Sequence, residues 1–334
     1  MNASHLRMKA NAFYQLTKPG IIRLLVLTTI CTMIVATRGF PDPGLLIMTL
    51  IGTAMVCGSA NAINMVWDQD IDAIMNRTAH RPLVTGDLNQ REALAFAAIL
   101  GFGGVLVLTY FATPMAALMG IAGHAFYSVI YTMILKRNTP QNIVIGGAAG
   151  AFPPLIGWAA VTGDLSWTAW LIFAVIFLWT PPHFWALALY KDVEYGKAGV
   201  PMMPVVKGHH TTKFQMMIYT MLLLGCTTLL AVVGEFGILY LVVSLALGTG
   251  FAYFCVKVAF EKDTETWARK TFLFSLTYLA LIFGTMSLDS VYTAHFTEQH
   301  YLISIEREAA KMRQAQTVEQ ARALHNDGEI TLPN

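Results

Sequence analysis

Three polar residues at a regular spacing follow an apolar segment in the first quarter of the chain. Asn64, Asp68 and Asp72 recur every four residues, so on a helix they drift by only about 40° per step and share one face. Several acids so close together repel one another unless a divalent cation lies between them. Because these ligands are hard oxygens, Mg²⁺ fits best. We therefore predict that Asn64, Asp68 and Asp72 are catalytic residues and metal ligands.

Two arginines follow the acids at helical spacing. Arg77 and Arg81 lie further along the same segment, and planar guanidinium groups match phosphate oxygens in a bidentate way. The combined pattern predicts a site for a metal and a diphosphate. Asp70 lies about 200° from Asp68 on a helix, off the common face, so a structural or indirect role is at least as consistent. Pro82 is predicted to end the helix.

A second polar segment follows an apolar run four spans later. It contains Asp192 and Glu194, and its position predicts that the chain is a parallel duplication of a four-helix unit with one acidic loop per half. Two carboxylate clusters at one membrane face suit two metals holding one diphosphate. We predict Asp192 as a catalytic residue and Asp192 and Glu194 as metal ligands.

The composition indicates a membrane protein. Of the 334 residues 55% are hydrophobic and only 13% are charged, which is too apolar for one soluble globule. We predict an all-α, polytopic membrane protein with nine transmembrane helices in one bundle, in a domain spanning 1–292, followed by a polar tail at 293–334. The predicted spans are 20–38, 44–64, 91–112, 114–134, 142–161, 167–187, 214–233, 236–256 and 271–290.

The distribution of lysine and arginine predicts the orientation. With the N-terminus inside, basic residues collect at inner loops, and Arg38 is the one basic residue expected in an outer loop. We therefore place the N-terminus and both acidic loops in the cytoplasm, at a bacterial plasma (inner) membrane. The net charge of +2 is a topological signal, and no clustered basic surface indicates nucleic-acid binding.

Some residues inside the spans permit two interpretations. Arg23 can snorkel to the headgroups or contact a phosphate, and the first is favoured. Lys136 and Arg137 suit membrane anchoring and phosphate binding equally. The small residues at 146–150 followed by Pro153 indicate either a crevice or tight packing. His124 is predicted to be a hydrogen-bonded core residue.

These motifs resemble the UbiA superfamily of intramembrane prenyltransferases, whose Asn-x3-Asp-x3-Asp signature matches Asn64, Asp68 and Asp72. Longer strings are similar to its protoheme IX farnesyltransferase family over roughly residues 14–290. They are DAIMNRTAHRPL at 72–83, LKRNTPQNIVIGG at 135–147, PPHFWALA at 181–188 and AGVPMMPVVKG at 198–208. The chain departs from relatives at Gly20, where many have a basic residue, and at Gly196, where a second Asp-x3-Asp would end. Asp192 is therefore carried over, and Glu194 is a substitute for the second acid.

The resemblance implies transfer of farnesyl from farnesyl diphosphate to a vinyl group of heme B (protoheme IX), with Mg²⁺ as cofactor and with water quenching the resulting cation. It implies diphosphate binding by a set of basic residues and acceptor binding by His183, Trp185 and Tyr131, histidine being a ready axial ligand of heme iron. The lipid bilayer is the medium, and contact with a heme A synthase or a terminal oxidase assembly is possible. The basic set is Arg77, Arg81, Lys136, Arg137 and Lys207.

Two other functions are consistent with the pattern. A related enzyme could prenylate an aromatic quinone precursor, such as a hydroxybenzoate, with the same diphosphate machinery. A heme-binding or transport membrane protein is the alternative of another class, although the acids cluster on one side and not along a pathway. Supplying labelled farnesyl diphosphate with each acceptor separates all three.

Overall fold

The computed structural model describes residues 3–327, and over that range the chain is helical without strands. The helices are α1 (Ala3–Leu16), α2 (Pro19–Thr37), α3 (Pro43–Trp67), α4 (Gln69–Ile74), α5 (Pro82–Thr85), α6 (Gln90–Phe111), α7 (Pro114–Ala125, continued by a π-helical segment Phe126–Leu135), α8 (Asn142–Gly146), α9 (Ala148–Thr162), α10 (Trp167–Leu189), α11 (Asp192–Lys197), α12 (Met203–Val233), α13 (Ile238–Phe260) and α14 (Thr264–Asp327).

Nine helical segments within the described range are long and apolar enough to cross a membrane, which confirms the predicted multi-pass, all-α fold. The seventh starts earlier than predicted, at Met203, because Pro204 suits a first helical turn. Its backbone then leaves helical geometry at Gly208, where φ is 79°, a value that glycine adopts without a steric penalty. The ninth continues beyond position 290 to Asp327.

Local sequence signals fix where several spans begin. Asp42 accepts a hydrogen bond from the backbone N–H of Leu45 at 2.8 Å, and Pro43 takes the first helical position of α3. Asn89 and Glu92 form a reciprocal capping box at the start of α6. Such caps satisfy backbone donors that have no partner within the helix. Asp42 thereby fixes the start of α3, the helix that carries Asn64 to the site.

The acidic segment is not one continuous helix, and the prediction that Pro82 ends it is wrong. Helix α3 ends at Trp67, α4 covers Gln69–Ile74, and Pro82 instead begins α5, where its missing N–H costs nothing. The four-residue spacing survives the break. The backbone N–H of Asp68 still donates to Asn64 O at 2.9 Å, and that of Asp72 donates to Asp68 O at 2.8 Å.

The π-helical segment of the fourth span changes which residues share a face. Its hydrogen bonds join residues five apart, as in the bond from Lys136 N to Tyr131 O at 2.9 Å. The fifth span is interrupted between α8 and α9 at Gly147. A Cβ atom at Gly147 would lie 2.9 Å from the Cβ of Thr180, so the glycine permits close approach of α10.

Helix pairing follows the predicted duplication. Helix α3 packs most extensively against α6, and α10 packs against α12. Each of α3 and α10 is followed by a six-residue helix with two acids, Asp70 and Asp72 in α4 and Asp192 and Glu194 in α11, and Asp68 lies between α3 and α4. The chain divides into a unit that ends at Ser290 and a second unit from Val291 on. The predicted domain boundary at 292 stays a prediction.

Candidate active site

A cavity of about 430 Å³ is lined by residues of six spans and of the short helices that follow α3 and α10. One end is polar, and the remainder is lined mostly by aliphatic and aromatic side chains and by glycines. The polar end is formed by Lys18, Asn64, Asp72, Arg77, Arg81 and Lys136. The structure therefore brings the first acidic segment together with the arginines that precede α5 and with Lys136 at the end of the fourth span.

Asn64 connects three other side chains at this polar end by hydrogen bonds. Its amide nitrogen donates to Asp68 Oδ2 at 2.8 Å and to Thr132 Oγ1 at 2.9 Å. Its amide oxygen accepts a hydrogen bond from Lys18 Nζ at 2.5 Å. The side chain is buried, so these three bonds hold it in one orientation and keep Asp68 against it.

The two carboxylates are buried and paired with cations. Asp68 is fully buried and pairs with the ammonium group of Lys136, while Asp72 Oδ2 accepts from Arg81 at 2.5 Å. A buried carboxylate needs such partners because desolvation otherwise costs several kcal/mol. Asp68 Oδ1 nevertheless has no hydrogen-bond partner within the described part of the chain. That oxygen is buried beside the cavity-lining Asn64, and Asp68 itself does not line the cavity.

Lys18 adds a cation that was not among the predicted site residues. It lies between α1 and α2 in a left-handed conformation with φ of 53°. Burial lowers the pKa of Lys18 well below its ordinary value, and the nearby charges of Arg81 and Lys136 lower it further. Because these positive charges repel one another, a polyanion that binds among them is stabilised. The only local signal in the sequence was a lysine directly before the proline that starts the first span.

Asp70 and Arg137 form a pair at the surface end of α3. The guanidinium group of Arg137 donates to both carboxylate oxygens of Asp70, at 2.7 and 2.6 Å, and to Trp67 O at 2.8 Å. Hydrogen bonding to Arg137 lowers the pKa of Asp70 to about 2. Neither side chain lines the cavity. The pair fixes the end of α3, and Arg137 lies 3.9 Å from Asp68 Oδ1.

The second acidic segment lies outside the cavity wall. Asp192 Oδ2 contacts His209 Nε2 at 2.8 Å, and Glu194 Oε1 accepts from Lys191 at 2.7 Å. Of this segment the neighbour Tyr195 lines the cavity. Burial raises the pKa of Tyr195, and the adjacent Arg77 opposes that shift.

Over the described residues no three His, Cys, Asp or Glu side chains converge on a metal-sized space. The structure therefore does not bring Asp192 and Glu194 together with Asp68 and Asp72. The first segment alone still fits Mg²⁺ by its donors. Asn64 and Asp72 supply oxygen atoms at the cavity, and the unpartnered Oδ1 of Asp68 is a hard anionic ligand.

The predicted acceptor residues separate into two groups. His183 lines the cavity between the rings of Trp179 and Phe272, at centroid distances of 4.2 and 4.6 Å. Tyr131 also lines it and stacks on Tyr127 at 5.5 Å. Trp185 is fully buried in the protein core, against Tyr219, and does not line the cavity.

Three further placements matter. Lys207, on α12, is exposed and lies outside the cavity lining, as does Arg23. His124, predicted to be a core residue, lies on the cavity wall. Sequence reasoning also did not single out the cavity residues Thr78, Asn142 and Tyr195. Thr78 and Asn142 lie within the strings at 72–83 and 135–147, but a string does not say which of its members line a cavity, and Tyr195 lies outside all four strings.

The chain is similar to known proteins of one family. The model of the UbiA prenyltransferase family matches residues 25–277. A protoheme IX farnesyltransferase from Symbiobacterium thermophilum is 50% identical over 83% of this chain and 93% of its own length. One from Gloeobacter violaceus is 48% identical over 84% of this chain and 92% of its own length.

Solved structures show the same fold. A structure of digeranylgeranylglyceryl phosphate synthase has a TM-score of 0.72 at 19% identity and covers 85% of this chain and 99% of its own. A UbiA homologue from Archaeoglobus fulgidus, bound to DMAPP and Mg²⁺, has a TM-score of 0.59 at 14% identity, covering 82% and 99%. Together with the two close relatives, these matches show that the chain belongs to the UbiA prenyltransferase family, in its protoheme IX farnesyltransferase branch.

Proposed function

We propose that this protein transfers the farnesyl group of farnesyl diphosphate to a vinyl group of heme B, with hydration, giving heme O and diphosphate. The observation that carries the proposal is one cavity with a cation cluster at its polar end and an apolar, aromatic wall beyond it. A polyanionic head and an isoprenoid tail need these two environments in this order. The close relatives named protoheme IX farnesyltransferase support heme B as the acceptor.

The cation cluster is suited to the leaving group. When the allylic C–O bond breaks, its electron pair goes to the diphosphate, so negative charge develops beside Lys18, Arg81 and Lys136. Preorganised cations in a water-poor site stabilise such charge without reorganisation, and removing one strong contact typically costs about 10²- to 10³-fold in rate. Asn64 keeps Lys18 in place through its 2.5 Å hydrogen bond.

Mg²⁺ would be held by Asn64, Asp68 and Asp72, and it would supply further charge neutralisation for the diphosphate. The structure of the Archaeoglobus fulgidus homologue with Mg²⁺ and DMAPP supports this cofactor. Asp192 and Glu194 stay predicted contributors, and because they are partly exposed and lie outside the cavity lining we assign them the smaller part.

The aromatic wall is suited to the cation and the acceptor. Tyr127 and Tyr131 follow the cation cluster along the cavity, and their ring faces can stabilise an allylic cation. The vinyl π electrons of heme B then form the new carbon–carbon bond, and water supplies the hydroxyl group.

His183 is the proposed acceptor-binding residue. Ser275 Oγ lies 2.6 Å from Phe272 O and 2.6 Å from His183 Nδ1. Because a carbonyl can only accept, Ser275 gives its proton to Phe272, and Nδ1–H of His183 donates to Ser275. Nε2 is left with a free lone pair, as an axial ligand of heme iron requires.

The experiment that tests the function uses purified protein with farnesyl diphosphate, Mg²⁺ and either heme B or 4-hydroxybenzoate. We expect heme O from heme B, identified by mass spectrometry, and no prenylated benzoate. In oxygen-18 water without dioxygen, the new hydroxyl should carry the label. Unchanged heme with a prenylated phenolic acid would overturn the acceptor, and an unlabelled hydroxyl would overturn the water step alone.

We further propose that the protein lies in a bacterial inner membrane with both acidic loops in the cytoplasm, supported by the distribution of lysine and arginine. Single cysteines at Gln69 and Gly196, in a background without the four native cysteines, should be shielded from an impermeant thiol reagent in intact cells. Labelling from outside at either position contradicts the orientation. Contact with a heme A synthase or oxidase assembly stays a prediction.

A further inference from the structure

His124 is held at the cavity wall by a buried serine. Ser59 Oγ lies 2.7 Å from Ala97 O and 2.9 Å from His124 Nε2. A hydroxyl group has one proton and a carbonyl oxygen can only accept, so Ser59 donates to Ala97. His124 must therefore carry its proton on Nε2 and donate it to Ser59. The serine fixes the tautomer in which Nδ1 has a free lone pair.

Neighbouring residues leave space for the contact between Ser59 and His124. Ser59, on α3, is 1% exposed and is bonded to the backbone of α6. A Cβ atom at Gly101 would lie 2.8 Å from Ser59 Oγ, so this glycine leaves the space that the serine needs. Among the described residues His124 Nδ1 has no hydrogen-bond partner, and His124 lines the cavity. His124 is only partly buried, so its unpartnered nitrogen can take a hydrogen bond from a water molecule in the cavity.

His124 lines the cavity about one helical turn beyond the polar end. It precedes Tyr127 by about one helical turn on the same face, and the Tyr127 hydroxyl lies 3.4 Å from Lys18 Nζ. The fourth span runs from Pro114 toward Lys136 at the polar end. His124 is therefore one turn further from the cation cluster than Tyr127. A diphosphate held at Lys18 would place its allylic carbon beyond the head group, toward this layer.

We infer that His124 is the base that accepts the proton of the attacking water. This inference rests on the proposed function. Farnesyl attack on the vinyl group leaves a cation on the carbon next to the porphyrin ring. A water lone pair forms the C–O bond to that carbon, the electrons of one O–H bond return to oxygen, and the proton goes to His124 Nδ1. The imidazolium ion then releases its proton to solvent.

Without this base the cation can react in a second way. It can lose a proton from the neighbouring carbon and give an alkene, a product lighter by one water. The ratio of hydrated to dehydrated product therefore reports on His124 separately from overall turnover. A purely structural histidine would change both products equally when it is removed.

The test compares His124→Ala, His124→Gln and Ser59→Ala with the wild type, using farnesyl diphosphate, heme B and Mg²⁺. Glutamine keeps volume and can donate to Ser59 but has no basic nitrogen, so it serves if the alanine variant does not fold. Ser244→Ala is the matched control, because Ser244 is a buried serine that donates within its own helix, to Leu241 O at 2.9 Å, outside the cavity lining.

In both His124 variants we expect the hydrated-to-dehydrated ratio to fall at least about tenfold, since general-base catalysis contributes about 10²- to 10⁴-fold. Ser59→Ala should lower it by less, and Ser244→Ala should leave it unchanged. A wild-type ratio in His124→Gln, or an equal loss of both products, overturns the inference. If the wild type does not prenylate heme B at all, the proposed function fails instead.

Discussion

The two acidic segments occupy corresponding places in the two halves of the chain and differ in what surrounds them. Asp68 and Asp72 are 0% and 3% exposed and pair with Lys136 and Arg81. In Asp192 the side chain is 34% exposed and pairs with a histidine. The first half therefore contains buried charge that only an incoming anion or cation can rearrange, whereas the second half holds its acids where water already solvates them.

The second half contributes the opposite surface. It places His183, Trp179, Phe184 and Tyr195 on the cavity wall, and we propose that this side of the cavity meets the acceptor. We call the first half, which holds the buried ion pairs, the charged half. We call the second half, which holds the rings stacked on His183, the aromatic half, although Tyr127 and Tyr131 of the first half also line the cavity. One internal cavity then offers two environments to two chemically different substrates.

The largest expected effect is in the charged half. Asp68→Asn or Asp72→Asn keeps the side-chain size and removes the charge that offsets a metal and a buried cation. Turnover of farnesyl diphosphate should fall at least about a hundredfold, or about 2.7 kcal/mol of transition-state stabilisation. Steady-state kinetics at saturating Mg²⁺ measure this loss. Near-normal turnover of a folded variant would falsify the role of this half.

The next largest effect is expected where the fifth span packs against the fourth. Gly146, in the fifth span, faces Tyr131, and a Cβ atom there would lie 2.2 Å from the tyrosine ring. Gly146→Ala should lower the free energy of unfolding by about 1–3 kcal/mol, as overpacking does, and raise the KM for heme B.

Thermal unfolding in detergent measures the loss of stability in Gly146→Ala. Gly225→Ala is the control, because nothing lies within 4 Å of a Cβ at that position. Equal stability of the two variants would show that the ring moves aside without cost.

A smaller effect is expected in the aromatic half. Asp192→Asn removes a partly exposed carboxylate whose partner is His209, so kcat/KM should fall by no more than about tenfold, or about 1.4 kcal/mol. The measurement is made beside Asp68→Asn under the same conditions. A loss as large as that of Asp68→Asn would contradict the difference between the two acidic segments and would support Asp192 as a metal ligand.

The smallest effect is expected at the surface. Asp70→Asn removes an exposed ion pair with Arg137, worth at most about 1 kcal/mol. Because the folded-state pKa of Asp70 is lowered to about 2, the stabilisation is present above the ordinary carboxyl pKa and is lost as the pH falls through about 2. The melting temperatures of wild type and variant should differ slightly at pH 7 and converge near pH 2.

Much of the fold was predictable because membrane spans are long and apolar. The nine spans follow from runs of hydrophobic residues, and the shared face of Asn64, Asp68 and Asp72 follows from their spacing. That spacing survived a break at Trp67 because the backbone hydrogen bonds to residues four back are kept. The break itself was not predictable, since Asp68 and Gln69 carry no helix-stopping signal.

The parts of the site that come from other helices could not be predicted. Lys18 is 46 residues from Asn64, its hydrogen-bond partner, and His124 is 65 residues from Ser59. Tertiary packing alone decides such meetings. Trp185 shows the reverse error, because it shares the 181–188 string with His183 but lies in the core. Adjacent residues of a buried helix point in different directions, so a string similar to a family does not say which members meet the substrate.

The π-helical segment Phe126–Leu135 has a consequence for how this chain tolerates insertions and deletions. A π turn accommodates one residue more than an α turn, so it aligns Tyr131 with Lys136, five positions later. Deleting one residue between them would let the span relax to an ordinary α-helix of nearly the same length, still apolar enough to insert. In that α-helical turn Lys136 would be four positions after Tyr131, so it would keep its alignment with Tyr131 and its approach to Asp68. The same deletion in an α-helical part of a span would turn every later residue by about 100°. The π-helical segment therefore marks where the fourth span tolerates the loss of one residue.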